Sequence, residues 1–119
     1  MLKKNLNIYL CDYDVSLKEA LLKIEKNARG ILFVVNRDVL IGVITDGDIR
    51  RLLLSERFDG EIKVGSVCNK EFVCAFDTDP DEKIISLFSS KIKCLPVITQ
   101  NKKIIDIQFN NQIRHNLSS

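Results

Sequence analysis

Seven consecutive residues that begin at Gly42, Gly-Val-Ile-Thr-Asp-Gly-Asp, hold the most promising group of ligand-binding atoms in the chain. They follow an apolar stretch and precede a helical one, so free backbone amides, the Thr45 hydroxyl and the carboxylates of Asp46 and Asp48 meet at one point. Amides and hydroxyls can donate to phosphate oxygens, and a carboxylate can accept from ribose hydroxyls. Because glycine lacks a side chain, Gly42 and Gly47 would let a ligand approach the main chain. The segment therefore suits a phosphorylated sugar or a nucleotide.

The same residues have a purely structural explanation. Thr45 followed three residues later by Asp48 has the form of a capping box, in which each side chain binds the backbone amide of the other residue at a helix start. Taken alone, the residues support ligand binding and helix capping about equally.

An enzymatic role has little support in this segment. Asp46 and Asp48 could hold Mg²⁺ for a hydrolytic or phosphate-transfer reaction. However, His115 is the single histidine, and no nucleophile, base and orienting partner can be assembled around it. We therefore expect a binding module with no catalytic residues and no metal site.

Three predicted elements position the segment. Ser16 and Glu19 open an amphipathic helix, because apolar residues recur behind Ser16 at helical spacing. Apolar runs at residues 30–35 and 39–44, separated by a polar triplet, predict a hairpin of two buried strands. Residues 49–54 predict a second helix with acidic residues at the positive end of its dipole. The segment thus joins the last strand to the last helix of a helix–hairpin–helix unit.

The same order of elements returns in the second half of the chain. A new helix start is predicted at residues 79–82, with Pro80 at the first helical position. Residues 94–98 and 104–107 predict a second hairpin, and residues 110–117 a closing helix. Two copies of one unit indicate an internal duplication.

Matching residues of the two halves lie 63 or 64 positions apart. We expect one repeat at residues 1–62 and the other at residues 63–119. Each repeat alone is marginal in size and exposes an apolar sheet face, so the two should pack face to face. Their junction is the natural place for a ligand cleft.

The second copy lacks the polar groups of the first. At an offset of 64, Phe109 stands where the first copy has Thr45, and Gln112 stands where it has Asp48. Asp106 replaces the first glycine of the motif. We therefore predict at most one competent ligand site per chain.

Residues 42–48, followed by Ile-Arg-Arg, resemble the signature of cystathionine-β-synthase (CBS) domains, which is Gly, two apolar residues, Thr or Ser, two variable residues and Asp. The order of elements is similar too, and the resemblance covers residues 8–113. It implies a mixed α/β (α+β) fold of two β-α-β-β-α repeats packed by pseudo-two-fold symmetry, which is called a tandem CBS pair or Bateman module.

The resemblance also implies roles for individual residues. Asp48 would hold ribose hydroxyls and Thr45 would contact phosphate, while Asp46, Gly47 and Arg50 would line the polyphosphate side. For Arg50 and Arg51, a solvated helix face is the more ordinary explanation, because exposed charges contribute little.

On the base side of the ligand, the resemblance implies contacts from Ile31 and from the loop around Asp14. The ligands it implies are AMP, ADP, ATP or S-adenosylmethionine. No cofactor is implied beyond such a regulatory ligand.

The wider pattern is similar to CBS pairs that are fused to sugar-phosphate nucleotidyltransferases or arabinose-5-phosphate isomerases. The resemblance therefore implies a regulatory module and not an enzyme. This module would be part of, or associated with, a sugar-phosphate enzyme, and a nucleotidyltransferase is the favoured one. It also implies a homodimer that forms through the CBS helices. A ligand-free dimerisation module of such an enzyme is the alternative.

Composition limits the remaining partners. The 119 residues are 45% hydrophobic and 29% charged, with a formal charge of +2, so neither nucleic acid nor a membrane surface is an expected partner. No apolar run approaches the roughly 18 residues of a membrane span. Of the four cysteines, Cys11, Cys74 and Cys94 lie in apolar, strand-like runs. We therefore expect buried thiols in a reducing cytoplasm, with a disulfide pair as the alternative.

Overall fold

The computed structural model of the chain describes residues 5–55 and 60–110. It contains two compact units, Met1–Phe72 and Val73–Ser119. Each unit holds one three-stranded sheet together with helices. The mixed α+β class that the sequence predicts is therefore confirmed.

The sheet of the first unit has the order β1-β2-β3, with β1 parallel to β2 and β2 antiparallel to β3. Its strands are β1 (Leu10–Asp12), β2 (Ile31–Asn36) and β3 (Val39–Thr45). Arg37 and Asp38 form the two-residue turn of the hairpin, with φ of 51° and 69°. Positive φ at both positions suits the right-handed twist of the paired strands. The hairpin predicted from the two apolar runs is confirmed.

Helices of the first unit cover the sheet and fill its core. A 3-10 turn at Leu6–Tyr9 precedes β1, and the helices are α1 (Leu17–Asn27), α2 (Asp46–Leu54) and the short α3 (Val64–Val67). At the start of α1, the Glu19 N–H donates to the Ser16 hydroxyl over 3.2 Å. Buried residues from both layers pack into one core: Cys11, Leu17, Ala20, Ile24, Leu32, Val34, Ile44, Ile49, Val64 and Cys68.

The segment that carries α3 is bound to the first unit by backbone hydrogen bonds. The N–H groups of Val64 and Gly65 donate to the carbonyls of Val15 and Tyr13, each over 2.8 Å. The sequence patterns assign no helix or strand to residues 64–67 and do not reveal α3. Contacts accordingly group residues 63–72 with the first unit, while the repeat boundary after residue 62 stays a prediction.

The second unit repeats the sheet with a shorter helix. Its order is β4-β5-β6, with β4 parallel to β5 and β5 antiparallel to β6. The elements are β4 (Ala75–Phe76), α4 (Asp81–Ser86), β5 (Cys94–Ile98) and β6 (Ile104–Phe109). Pro80 is the N-cap of α4 and not its first helical residue. The closing helix predicted over residues 110–117 lies, from residue 111 onward, outside the described residues.

Backbone pairing follows the predicted duplication. Ile31 pairs with Thr45 in the first sheet, and Cys94 pairs with Phe109 in the second. The pairing register of both hairpins shifts at the equivalent place, with Ile41 of β3 and Ile105 of β6 as the extra residues. Equivalent residues of the two units are therefore 63 positions apart before the hairpin turn and 64 positions apart after it.

The four cysteines, all of which lie in the described ranges, form no disulfide, so the disulfide alternative is wrong. Cys11 and Cys68 are buried, whereas Cys74 and Cys94 are only half-buried, so the expectation of buried thiols is wrong for Cys74 and Cys94. Burial raises the pKa of the Cys11 thiol to about 11 and also raises the pKa of Cys68. These two thiols stay protonated at neutral pH and behave as small apolar core groups. Over the ranges that the structure covers, no helix combines the length and the apolar character that a membrane crossing requires.

Candidate functional site

The candidate site lies where β3 ends and α2 begins. Thr45 is the last residue of β3 and Asp46 is the first of α2. Thr45 pairs across the hairpin with Ile31, and the Asp46 N–H donates to the Gly30 carbonyl over 2.9 Å. The structure therefore brings Ile31 to the same end of the sheet as residues 45–48.

Thr45 and Asp48 form the capping box that the sequence predicts as the structural alternative. The Asp48 N–H donates to Thr45 Oγ1 over 3.0 Å, and the Thr45 N–H donates to Asp48 Oδ2 over 2.9 Å. A hydroxyl keeps its own proton as a donor in this arrangement, and a carboxylate has further lone pairs. Capping therefore occupies part of the hydrogen-bonding capacity of these side chains and leaves the rest.

The first-turn amides of α2 differ in their partners. The Asp46 N–H donates to the Gly30 carbonyl and the Asp48 N–H donates to the Thr45 hydroxyl. A Cβ added at Gly47 would meet only ordinary contacts, 3.6 Å from Thr45 Oγ1 and 3.7 Å from an Arg51 nitrogen. The Cβ position of Gly47 is therefore uncrowded, and this side of the first turn of α2 has room for another group.

Two arginines accompany the two carboxylates. Arg51 donates to Asp48 Oδ1, and Arg50 lies 3.5 Å from Asp46 Oδ2. The side chains of Arg50 and Arg51 are 70% and 73% exposed, so each ion pair is weak and can exchange partners. The sequence singles out Arg50, whereas Arg51 is the cation that contacts Asp48, because three residues along a helix bring side chains together.

The first glycine of the motif has a packing role. A Cβ at Gly42 would lie 2.5 Å from Cys68 Sγ and 2.9 Å from the Asn69 carbonyl oxygen. Asn69 and Val43 also exchange two backbone hydrogen bonds of 2.8 and 2.9 Å. The end of the α3 segment thus occupies the space over Gly42. The expectation that a ligand approaches the main chain at Gly42 is wrong, and non-local packing explains the glycine.

Gly30 is a site residue that the sequence does not reveal. It has a φ of 73°, and a Cβ there would lie 3.3 Å from Asp46 Oδ1. A side chain at this position would be strained and would crowd the carboxylate. The sequence does contain one signal for Gly30, which is its position directly before a buried strand. That position indicates a neighbour of Asp46 only when Ile31 and Thr45 are known to pair.

Asp14 lies away from the other predicted site residues. It is exposed and follows β1, whose last residue, Asp12, pairs with Val35. Val35 is four positions along β2 from Ile31, which corresponds to about 13 Å of strand. Asp14 therefore lies beyond the opposite end of the sheet from Thr45, and the structure does not bring the two together.

The equivalent place in the second unit is apolar. Phe109 occupies the position of Thr45 and is 2% exposed. Asp106, at the position of the first motif glycine, accepts from Gln108 Nε2 over 2.7 Å. Gln112 lies outside the described residues. Over the described part of this unit, the place of the Thr45 hydroxyl is taken by a buried aromatic ring.

No group of three or more histidine, cysteine, aspartate or glutamate side chains that could hold a metal ion occurs within residues 5–55 and 60–110. Asp46 and Asp48 each pair with an arginine instead.

Comparisons with known sequences identify the class of the first repeat. Residues 4–55 match the family model described as the CBS domain. The chain is 36% identical over 89 residues to homoserine O-acetyltransferase of Methanococcus vannielii, which covers 74% of this chain and 18% of that enzyme. It is 29% identical over 79 residues to inosine-5'-monophosphate dehydrogenase of Methanocaldococcus jannaschii, which covers 66% and 15%. The chain therefore spans less than a fifth of the length of these curated relatives.

Comparisons with solved structures define the fold of both units. The CbpB protein of Listeria monocytogenes, in complex with c-di-AMP, superposes with a TM-score of 0.82 at 18% identity, covering 98% of this chain and 91% of that one. CBSX2, a CBS-pair protein of Arabidopsis thaliana, in complex with AMP, gives a TM-score of 0.78 at 22% identity, covering 96% and 90%. Residues 4–55 thus match the CBS domain model, and the chain has the fold of a tandem CBS domain pair.

Proposed function

We propose that this CBS pair is a regulatory module that binds an adenine-nucleotide-type ligand at the start of α2. The arrangement of Thr45, Gly47 and Asp48 carries the proposal, because a hydroxyl, an uncrowded glycine and a carboxylate surround the first amides of a nine-residue helix. Helix N-termini favour phosphate groups through their amides and their dipole. Two structural neighbours that are described with AMP and with c-di-AMP support this class of ligand over S-adenosylmethionine.

In this proposal, each polar group of the site has a distinct role. A phosphate oxygen accepts from the Gly47 amide and the Thr45 hydroxyl, and Arg50 offsets the charge of Asp46 beside the phosphate. Asp48 accepts from a ribose hydroxyl through lone pairs that the capping box does not use.

The base is proposed to lie near Ile31, at the same end of the sheet as Thr45. Asp14 is the weaker member of the proposed set, because a ligand would have to span about 13 Å of strand to contact it together with Thr45.

A ligand regulates such a module only if it binds one arrangement of the protein more tightly than another. The two curated relatives are long enzymes that this chain matches over a small part of their length, which supports a module attached to or associated with an enzyme. These relatives are named as an acetyltransferase and a dehydrogenase, and neither is a sugar-phosphate enzyme of the kind that the resemblance implies. The proposed link to a sugar-phosphate nucleotidyltransferase or an arabinose-5-phosphate isomerase therefore rests only on the resemblance of residues 42–51.

A second candidate function is a ligand-free dimerisation module. The complete capping box supports it, because Thr45 and Asp48 then need no ligand to explain them. Exposed leucines on α1 and α2 support a homodimer through these helices, since Leu22, Leu53 and Leu54 are 56%, 50% and 82% exposed. Such apolar side chains favour association with a second copy.

A thermal-shift screen with AMP, ADP, ATP, c-di-AMP and S-adenosylmethionine separates the two functions. A ligand that binds only the folded chain stabilises it by about 2.7 kcal/mol at a hundredfold excess over its dissociation constant. We expect stabilisation by at least one adenine nucleotide. If no compound changes the melting temperature while sedimentation shows a dimer, the dimerisation module is the better description.

Two variants locate the binding site. Gly47→Val places a branched side chain where the ligand is proposed to approach, and we expect it to abolish the nucleotide shift. Asp48→Asn keeps an oxygen that can accept from the Thr45 N–H but removes the charge, and we expect at least a tenfold weaker affinity. Asp81→Asn, in the first turn of α4 of the other unit, is the matched control. A nucleotide shift that survives in both site variants would place the ligand elsewhere.

A further inference from the structure

A cavity lies between β1 and α1 and shares no lining residue with the site at residues 45–48. Its volume is about 410 Å³. Strand β1 is at the opposite edge of the three-stranded sheet from β3, which carries Thr45. A ligand in this groove would therefore be independent of the proposed nucleotide.

The helix side of the groove is one continuous stripe. Glu19, Leu22, Lys23 and Lys26 all line the cavity, and their spacing of three, four and seven residues places them on one face of α1. Because each helical residue rises 1.5 Å, Lys23 and Lys26 lie about 6 and 10 Å along the axis from Glu19. The stripe runs from an acidic end to a basic end.

The strand side strengthens this polarity. The chain turns directly from β1 into α1, and the Val15 N–H donates to the Asp12 carbonyl over 3.2 Å within that turn. Asp12 is therefore at the same end of the groove as Glu19. Both side chains line the cavity, so two carboxylates lie at the acidic end.

Lys23 is fixed at the basic end by the backbone. Its ammonium donates to the carbonyl of Asn7 over 2.8 Å and to that of Leu10, the first residue of β1. These contacts hold the positive charge at the beginning of β1.

Apolar groups occupy the middle of the groove. Val15 and Leu22 line it, and Leu22 is 56% exposed. Cys11 forms part of the floor, is 4% exposed and stays a neutral thiol at physiological pH because burial raises its pKa. The groove thus combines an acidic end, an apolar middle and a basic end.

We propose that this groove binds an elongated zwitterion, with an amine and a carboxylate at the two ends of an aliphatic spacer. The ammonium would lie at Asp12 and Glu19, and the carboxylate at Lys26 and Lys23. The spacer would contact Leu22. The charge separation of about 6 to 10 Å along α1 excludes compact α-amino acids such as glycine and fits ω-amino acids or short apolar dipeptides.

The first test is calorimetric titration of the full chain with 6-aminohexanoate, hexanoate and hexylamine. The three probes share a chain of six carbon atoms and differ in which charged end groups they carry. We expect the zwitterion to bind about fivefold more tightly than either singly charged probe, which corresponds to one exposed ion pair. A dipeptide, leucyl-alanine, distinguishes a peptide-derived ligand from a free ω-amino acid. Equal affinities for the three charged probes, or no binding of the zwitterion, would overturn the proposal.

Single substitutions assign the two ends. Glu19→Gln should weaken 6-aminohexanoate and hexylamine two- to fivefold and leave hexanoate unchanged, while Lys26→Gln should affect hexanoate and not hexylamine. Glu25→Gln is the control, because Glu25 is exposed on α1 but does not line the groove. If Glu25→Gln reduces binding as much as Glu19→Gln does, the effect is general electrostatics and the site assignment fails.

The proposal for the groove and the proposal for the nucleotide site can be contradicted separately. Gly47→Val should leave 6-aminohexanoate binding unchanged, whether or not the natural chain binds a nucleotide. Loss of zwitterion binding in Gly47→Val, with the melting temperature preserved, would contradict independence of the two sites.

Discussion

The two units of this chain have the same backbone pairing and opposite chemistry at equivalent positions. In the first unit, Thr45 ends a strand with a hydroxyl that caps α2, and in the second, Phe109 ends the matching strand with a buried ring. The main chain continues in the same way, since the Asp46 and Asn110 N–H groups donate to the carbonyls of Gly30 and Lys93. Strand pairing is therefore independent of whether the position carries a hydroxyl or an aromatic ring.

The helix starts of the two units differ in a similar way. Ser16 caps α1 with its hydroxyl, and Pro80, the N-cap of α4, makes no side-chain hydrogen bond. Asp79 instead accepts from the Phe76 N–H over 2.8 Å and closes the turn before the helix. Both arrangements turn the chain from the first strand of a unit into its first helix. The duplication thus retains a backbone path while the side chains that secure it change.

The largest effect is expected when the second unit is made to resemble the first at the strand end. Phe109→Thr removes a buried ring, and we expect the free energy of unfolding to fall by about 3–5 kcal/mol, the range for deletion of buried aromatic side chains. Urea denaturation measures the loss. Ile105→Thr, on the same strand and 47% exposed, is the control and should change the free energy by no more than about 0.5 kcal/mol. A loss below about 1 kcal/mol at Phe109 would mean that the site tolerates either residue type.

The glycine of the motif provides the next test, because the second unit carries Asp106 at the same position. Gly42→Ala should destabilise the chain by about 1–3 kcal/mol, as overpacking does, since the added methyl would meet Cys68 Sγ and the Asn69 carbonyl. Gly47→Ala should be neutral or stabilising by up to about 1 kcal/mol, because alanine favours helix.

Adding Cys68→Ala to Gly42→Ala should recover part of the loss, since the sulfur contact disappears and the carbonyl contact stays. Additive effects of the two substitutions in a double-mutant cycle would show that Cys68 is not the obstacle.

A smaller effect is expected at the two hydroxyl caps. Thr45→Ala removes one half of a reciprocal pair and should cost about 1 kcal/mol, while Thr45→Ser should cost a few tenths. Ser16→Ala should cost no more than Thr45→Ala, because α1 has only the bond from the Glu19 N–H to Ser16. Chemical denaturation of the three variants ranks the caps. A larger loss at Ser16 would indicate that reciprocity adds nothing at Thr45.

The repeating elements are predictable from the sequence because their signals are local. A short apolar run bounded by polar residues gives β3, and helical spacing after a capping residue gives α1. Because these local patterns recur at an offset of 64, Thr45 is related to Phe109 before any pairing is known. The capping box of Thr45 and Asp48 is likewise a spacing of three residues. Such features depend on residues that are close in sequence.

The remaining features depend on residues that are distant in sequence. Helix α3 has four residues and no periodicity, and the bonds of its segment to Val15 and Tyr13 cannot be inferred from the segment itself. The crowding of Gly42 by Cys68 spans 26 positions. For this reason the sequence assigns Gly42 to ligand approach, and only the packed structure assigns it to chain packing.

The smallest expected effect concerns acid stability, in which the two helix starts should differ. The hydrogen bond from the Phe76 N–H, with the Lys83 ammonium at 3.3 Å, holds the pKa of the Asp79 carboxyl below its ordinary value of 3.8. A carboxyl whose pKa is lowered on folding stabilises the fold above its unfolded pKa, and this contribution disappears as the pH falls through the folded pKa. The natural chain should therefore lose an increment of stability below about pH 4 that Asp79→Asn does not lose.

Melting temperatures between pH 6 and pH 2 measure the difference, with Asp81→Asn as the exposed control. Ser16→Ala should leave the shape of the pH profile unchanged, because the hydroxyl does not titrate in this range. Parallel profiles for the natural chain and Asp79→Asn would mean that solvent screens the Asp79 contacts completely, and the two helix starts would then be equivalent in acid.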